Sequence, residues 1–294
     1  MTESGLGLFP LILAGVLGGL IGSFLNVCIH RLPRGGSVVS PRSACPHCGT
    51  PIPARRNVPV LSWLLLGGRA ACCGRPISPR YLLVEVIGVA MALLVTLRRG
   101  ASLEGAAEFI LLSALVVLFF TDLDARLLPD KVTLPIAAAG LLMSPWRPAL
   151  GEGLGMPGWL SALVASAAGY VLFLAIGLLW RRIRKVEAVG GGDMKMLAMI
   201  GAFQGIPGLV LTLLVSSVVG AGAGIGIAAV YAADRLGPVA SRHPEVDRIA
   251  LAGALFSRGL RRKTVPFGCF LSLGAAFTQL GGERLASWYL GLLS

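Results

Sequence analysis

The chain has 294 residues, 55% hydrophobic and only 14% charged, with 40 glycines and a mean hydropathy of +0.79. No soluble domain needs so many long apolar runs, so the composition implies an all-α polytopic membrane protein with about eight transmembrane helices. The net charge of +12 is gathered in a few loops, which points to membrane lipid as a partner and gives no sign of nucleic acid.

Leu6 to Ile29 is the first apolar run. Met1 to Gly5 before it holds no base, so the run reads as a retained helix and not a cleaved signal. Gly15, Gly18, Gly19 and Gly22 give it a close-packing face. Residues 1–30 make up this helix, and the basic flank from His30 to Arg34 puts its end in the cytoplasm. Cys28 and His30 near that end are open to two readings, metal ligation or plain packing.

Residues 31–80 form a small cytoplasmic domain, with eight arginines, eight prolines and no acid. Such a segment is too small for much of a core, and a metal staple would help it fold. Six cysteines are too unevenly placed for a disulfide framework. Cys45 and Cys48 have the C-x2-C spacing of a zinc knuckle, whereas the second half offers the adjacent Cys72 and Cys73. Neighbouring side chains tend to diverge, so the expectation is at most one zinc ion, held by Cys45, Cys48 and Cys73, with Cys72, His47 or water as an irregular fourth.

Residues 81–294 make the membrane core. Tyr81 to Leu97 goes out, Glu104 to Thr121 returns and delivers Asp122, and Val132 to Ser144 is a short crossing. Arg98 and Arg99 then lie outside, a mild departure from the charge rule. Trp159 to Trp180 ends in the cytoplasmic anchor Arg181 to Lys185, and Met194 to Gln204 is a second short crossing closed by Gly205-Ile206-Pro207. Leu209 to Tyr231 leads to a basic cytoplasmic loop, 234–263, with seven basic residues, and Val265 to Leu280 makes the eighth crossing. This threading brings Asp122, Asp124, Asp130 and Asp193 to one membrane edge.

Asp193 follows Gly190, Gly191 and Gly192 and precedes Lys195. Three glycines remove the side chains that would keep another backbone away, and they permit positive φ. An acid at a membrane boundary is costly without work or a partner. Asp122 and Asp193 at one depth suggest an acid/base pair for peptide hydrolysis, although two helix-end acids facing water would give the same spacing. A proton relay would need further acids along the spans. A dinucleotide-binding reading fails because the third glycine of G-x-G-x-x-G is missing.

These residues also carry a resemblance. Gly190 to Leu197 resembles a GxGDxKL box, and Asp122 to Asp130 a D-x6-P-D segment. Gly22 to Val27, His30 to Pro33, Asn57 to Trp63, Tyr81 to Glu85 and Val265 to Gly268 follow the same family pattern in order. The chain is thereby similar to the bacterial prepilin peptidases, or type IV leader peptidases, a branch of the GxGD aspartic proteases. The resemblance implies cleavage of the basic leader from type IV prepilin or pseudopilin precursors at the cytoplasmic face of the bacterial inner membrane. It further implies N-methylation of the new terminus with S-adenosylmethionine, unless the chain is a protease-only member. It makes Asp122 and Asp193 the catalytic pair, while Asp124 and Asp130 match the motif without that role. Where the family has its third cysteine this chain has Ala70, and where the family usually has proline it has Cys269.

Overall fold

In a computed structural model the described residues are 7–151, 154–185, 190–240, 248–262 and 266–293, and among them the chain is helical with no strand. Parts of three expectations lie outside these residues: the acid-bearing N-terminus, stretches of the two basic loops (186–189, and 241–247 with 263), and Val265. Residues 1–209 and 210–294 form two units.

In the first unit α1 (Leu8–Arg31) runs into an irregular segment that holds one short helix, α2 (Leu61–Leu65). The chain then enters α3 (Pro79–Arg99), where Ser78 accepts a hydrogen bond from the Arg80 amide and Pro79 occupies the first turn. Both are helix-start devices that satisfy or remove orphan donors. A turn at Gly100 with φ 62 and a Ser102 cap lead into α4 (Leu103–Ala125). The expected glycine face of α1 meets α3 directly: a Cβ on Gly18 or Gly22 would collide with the backbone at Gly88 or Glu85.

After α4 come α5 (Asp130–Met143) and α6 (Gly158–Arg184). The two segments expected at 194–204 and 209–231 are two helical limbs, as expected, joined without a loop at a kink at Gly205 with φ 64 and ψ −170; together they are α7 (Gly191–Ala240). Its first limb is the most buried stretch of the unit, with Met196, Leu197, Met199 and Ile200 fully enclosed. Glycines let its neighbours close in. Gly140 of α5 lies against the Phe203 ring, and Gly169 of α6 against Leu197.

A break inside an apolar bundle leaves carbonyls and amides without partners. Arg147, only 3% exposed, donates to the Phe203 carbonyl at 3.0 Å and to Glu104 at 2.8 Å. The Ile206 amide donates to the Ser161 hydroxyl, which donates to the Leu150 carbonyl at 2.6 Å. A buried acid, Glu108, is paired with Arg98 and Arg99, so half of the charge of these two arginines is offset at their end of the bundle.

The second unit holds the later part of α7, then α8 (Arg248–Arg262) and α9 (Phe267–Leu293). Here Gly274 of α9 sits against Ser216 and the Thr212 carbonyl. The basic segment expected as a loop over 234–263 is largely helical: α7 continues to Ala240, and α8 is amphipathic. Its apolar residues recur at helical spacing, a signal masked in the sequence by its four arginines.

Among the described residues five helices are long and apolar enough to cross a membrane: Leu8–Arg34, Pro79–Arg99, Leu103–Ala125, Gly158–Ile183 and the kinked Gly191–Val239. α5, with 14 residues, spans roughly 21 Å against a core of about 30 Å.

The glycine contact between α1 and α3 gives a direct test. Gly88→Ala should destabilise the protein by about 1–3 kcal/mol, because the added methyl meets backbone that cannot rotate away. Gly222→Ala, where nothing lies within 4 Å, should leave the thermal midpoint in detergent unchanged. Equal midpoints for both variants would refute the close contact.

Candidate active site and metal centre

α4 ends at Ala125, with the Arg126 amide donating back to the Asp122 carbonyl. Asp122 therefore sits in the last turn, 5% exposed. Asp193 sits in the first turn of α7, its amide donating to the Gly190 carbonyl at 3.1 Å. The structure brings these two aspartates together, close enough for the charge on one to act on the other.

The other two acids at this edge are taken by cations. Asp124 pairs with Arg80 at 2.6 Å, and Arg80 also lies over the Phe120 ring. Asp130 holds Lys195 through both carboxylate oxygens, at 2.7 and 2.8 Å. Lys195 thus ties the start of α7 to the start of α5.

The glycines act through space and not through unusual dihedrals. None of Gly190, Gly191 and Gly192 has positive φ, contrary to the freedom expected of them. Gly191 and Gly192 are already helical. A Cβ on Gly192 would press on the Leu128 side chain, one on Gly190 would face an Asp193 carboxylate oxygen, and one on Gly191 would meet nothing.

Cys45, Cys48, Cys72 and Cys73 converge, with all four sulfurs within 4.8 Å of one another. The segment is built from two similar knuckles. In the first, the Cys45 amide bonds the Thr50 carbonyl and the Gly49 amide the Cys45 carbonyl. In the second, Ala70 bonds Arg75 and Gly74 bonds Ala70 in the same pattern. Ala70 therefore occupies the place of Cys45, and Cys73 the place of Cys48. Cys72 swings in to complete the set, its sulfur 3.2 Å from that of Cys48, while Cys45 and Cys73 lie 3.7 Å apart. A tetrahedral zinc with bonds of about 2.3 Å needs sulfurs roughly 3.8 Å apart, so this donor set fits one ion. The divergence expected of adjacent cysteines does not keep either one out of the cluster.

The thiols also differ in acidity. Hydrogen bonds from the Thr50 hydroxyl and amide, then from Cys72, lower Cys48 to about 6. The amides of Cys48 and His47 lower Cys45. The hydrogen bond to Cys48, then burial, push Cys72 up to about 12. Thiolates are the metal-binding form, so the first knuckle is primed for a cation. Cys28 and His30 are not part of this cluster; Cys28 packs in the core with Leu25 and Ile29.

A cavity of about 480 Å³ lies between α1, the cysteine segment and the start of α3. Its wall includes Asn26, His30, Trp63, Tyr81 and Glu85. Val60 beside it has φ 64 and ψ −54, and the Leu61 amide reaches the Pro59 carbonyl at 2.6 Å. That is a γ-turn of the rare, strained hand. The Val60 amide donates to the Glu85 carboxylate at 2.7 Å.

Residues 16–99 match the bacterial peptidase A24 N-terminal domain, and residues 109–225 match the type IV leader peptidase family. A protein of Aeromonas hydrophila named prepilin leader peptidase/N-methyltransferase is 34% identical, over 92% of this chain and 90% of its own. Proteins of the same name from Myxococcus xanthus and Klebsiella pneumoniae are each 40% identical, over 76% and 68% of this chain and 64% and 88% of theirs. This chain belongs to the type IV leader peptidase family. No solved structure matches it.

In this leader peptidase both aspartates fall inside the peptidase match, while the cavity and the four cysteines fall inside the N-terminal match. Sequence reasoning did not single out Arg147 or the Arg80–Asp124 pair, because both depend on partners 43 to 56 residues away.

The knuckle register makes a prediction about the metal. The purified protein should hold one zinc, and Cys45→Ser with Cys48→Ser should remove it. Ala70→Cys with Cys72→Ser restores two regular pairs and should retain zinc against chelator at least as well as the parent. Loss of zinc from that double variant would show the register to be misread.

Proposed function

We propose that the chain is a two-aspartate prepilin peptidase that also methylates the N-terminus it creates. It cuts the basic leader from type IV prepilin or pseudopilin precursors. The observation that carries this reading is the convergence of Asp122 and Asp193 at the ends of α4 and α7, while Asp124 and Asp130 are held by Arg80 and Lys195.

Two carboxylates this close in a poorly solvated place share one proton. The ionised one takes a proton from water as the water oxygen attacks the scissile carbonyl carbon. The protonated one donates to the carbonyl oxygen. Collapse of the tetrahedral species breaks the C–N bond, and the leaving amine takes up a proton from the pair. The freed α-amine is the group methylated, with S-adenosylmethionine supplying the methyl. A transport relay finds no support, since the half-buried Glu104 and the buried Glu108 are bound to arginines and not strung along a path.

The threading that suits this chemistry has eight crossings, with α5 and the two limbs of α7 each counted as one. It places the active site at the cytoplasmic face of the inner membrane, where short helices thin the local barrier and admit water. The metal in the cysteine cluster is one zinc, a structural staple without a part in peptide hydrolysis.

Asp122→Asn and Asp193→Asn should each lower precursor cleavage by about a thousandfold or more, because neither proton transfer has a substitute. Asp124→Asn should stay within about threefold, since an exposed ion pair contributes little. Near-parent cleavage by Asp193→Asn would refute the pair.

Reporters fused after Ser40, Lys185 and Ser257 should lie in the cytoplasm, and one after Pro148 outside. An external reporter at Lys185 would put the aspartates on opposite faces.

A further inference from the structure

The cavity beside α1 has no part in the hydrolysis described above. The residues that line it all fall between Ser23 and Glu85, and none belongs to α4, α5 or α7. On α1 the lining positions are Ser23, Asn26, Val27 and His30. The positions that pack with Val117 and Phe120 of α4 are Leu25, Cys28 and Ile29. At about 100° per residue these two sets fall on opposite sides of the helix. α1 therefore stands between the cavity and the helix that carries Asp122.

Three features say what the cavity is built to hold. First, the Trp63 indole N–H is buried without a hydrogen-bond partner, and Trp63 lines the cavity. A buried donor of this kind needs an acceptor. Second, Glu85 is the single acid in a wall that also contains His30, Arg31, Arg42 and Arg56. Such a wall suits a ligand carrying both a cationic and an anionic group. Third, the strained turn at Val60 is held to Glu85 by a hydrogen bond, so the wall is set by a specific contact. Backbone strain of this sort collects at ligand clamps.

S-adenosylmethionine has the matching chemistry: a sulfonium and an ammonium, a carboxylate, and a purine with ring-nitrogen acceptors. Cations favour a carboxylate and aromatic faces, and carboxylates favour arginine. The volume of about 480 Å³ is typical of small-molecule sites, which span roughly 300–1,000 Å³. We propose that this cavity is the S-adenosylmethionine site, with Glu85 facing the cationic end of the ligand and the Trp63 indole N–H donating to it. The assignment rests on the methyl-transfer reading above and places that activity in the N-terminal domain, across α1 from the aspartates.

The test uses the full chain in detergent. Radiolabelled S-adenosylmethionine is titrated by equilibrium binding, then cross-linked by ultraviolet light and the labelled peptide mapped. The parent should bind and carry the label within 23–85. Glu85→Gln should weaken binding by roughly tenfold or more, and Trp63→Phe, which keeps a ring but lacks the N–H, by roughly three- to tenfold. Variants count as folded when their elution and thermal midpoint match the parent, and Trp63→Phe keeps the test open if Glu85→Gln does not fold. A label mapped outside 23–85, or parent-like affinity in the folded variants, would overturn the placement while leaving methyl transfer intact. Displacement of the label by excess leader peptide would assign the cavity to the substrate instead. A parent that binds no S-adenosylmethionine would overturn the methyl-transfer reading and the placement with it.

Discussion

The first limb of α7 is a short helix largely buried beyond its first turn, and burial on that scale is tolerable only if both its ends are satisfied. At the far end the Phe203 carbonyl accepts from Arg147, a cation placed where the helix dipole is negative. Arg147 is itself buried, and Glu104 offsets the charge. At the near end stands Asp193. Ten residues separate Asp193 from Phe203, roughly 15 Å of helix, so the depth at which Arg147 fixes one end determines the depth of the other. α5 and α6 close on the limb through glycines, which leaves it little freedom to slide. The aspartate geometry thus depends on a buried arginine far from the chemistry.

The edge near the aspartates is fixed in a complementary way. Lys195 joins α7 to α5 through Asp130, and Arg80 joins α3 to α4 through Asp124. Each exposed pair is weak alone. Their value is positional, because they occupy the two acids that could otherwise compete with Asp122 and Asp193 for a shared proton.

Much of this was legible in the chain, and the reasons are physical. Helices with long apolar runs declare themselves, and so does a small-residue face such as Gly18 and Gly22. Asp122 and Asp193 could be singled out because acids at apolar boundaries are rare. The stop at Gly205 was legible, and the structure does break the helix there, but the buried partners Arg147 and Ser161 that satisfy the break lie too far along the chain to be inferred. Other features could not be read. The helix α8 was hidden by its arginines. Ala70 was seen as a missing ligand, but whether Cys72 could replace it depends on the path of a five-residue turn that spacing does not specify. The cavity was invisible for the same reason: its walls come from α1, an irregular segment and α3, brought together by folding.

The separation of the two sites by α1 carries a constraint on the order of events. Methylation requires a free α-amine, which does not exist until the peptide bond is cut. A methyl donor held beside the aspartates would gain nothing before cleavage and would occupy space that water and the peptide need. In the proposed arrangement a donor held across α1 would leave the hydrolytic site open, and the new N-terminus would have to move past the His30 end of α1 to reach it. That end is where the His30 to Arg34 stretch and the cysteine knuckles lie. With a metal held by the cysteine cluster, an irregular domain at that point would be firm enough to shape a cavity wall without covering the aspartates. On this reading the zinc cluster serves the second reaction, and the first runs on membrane helices alone.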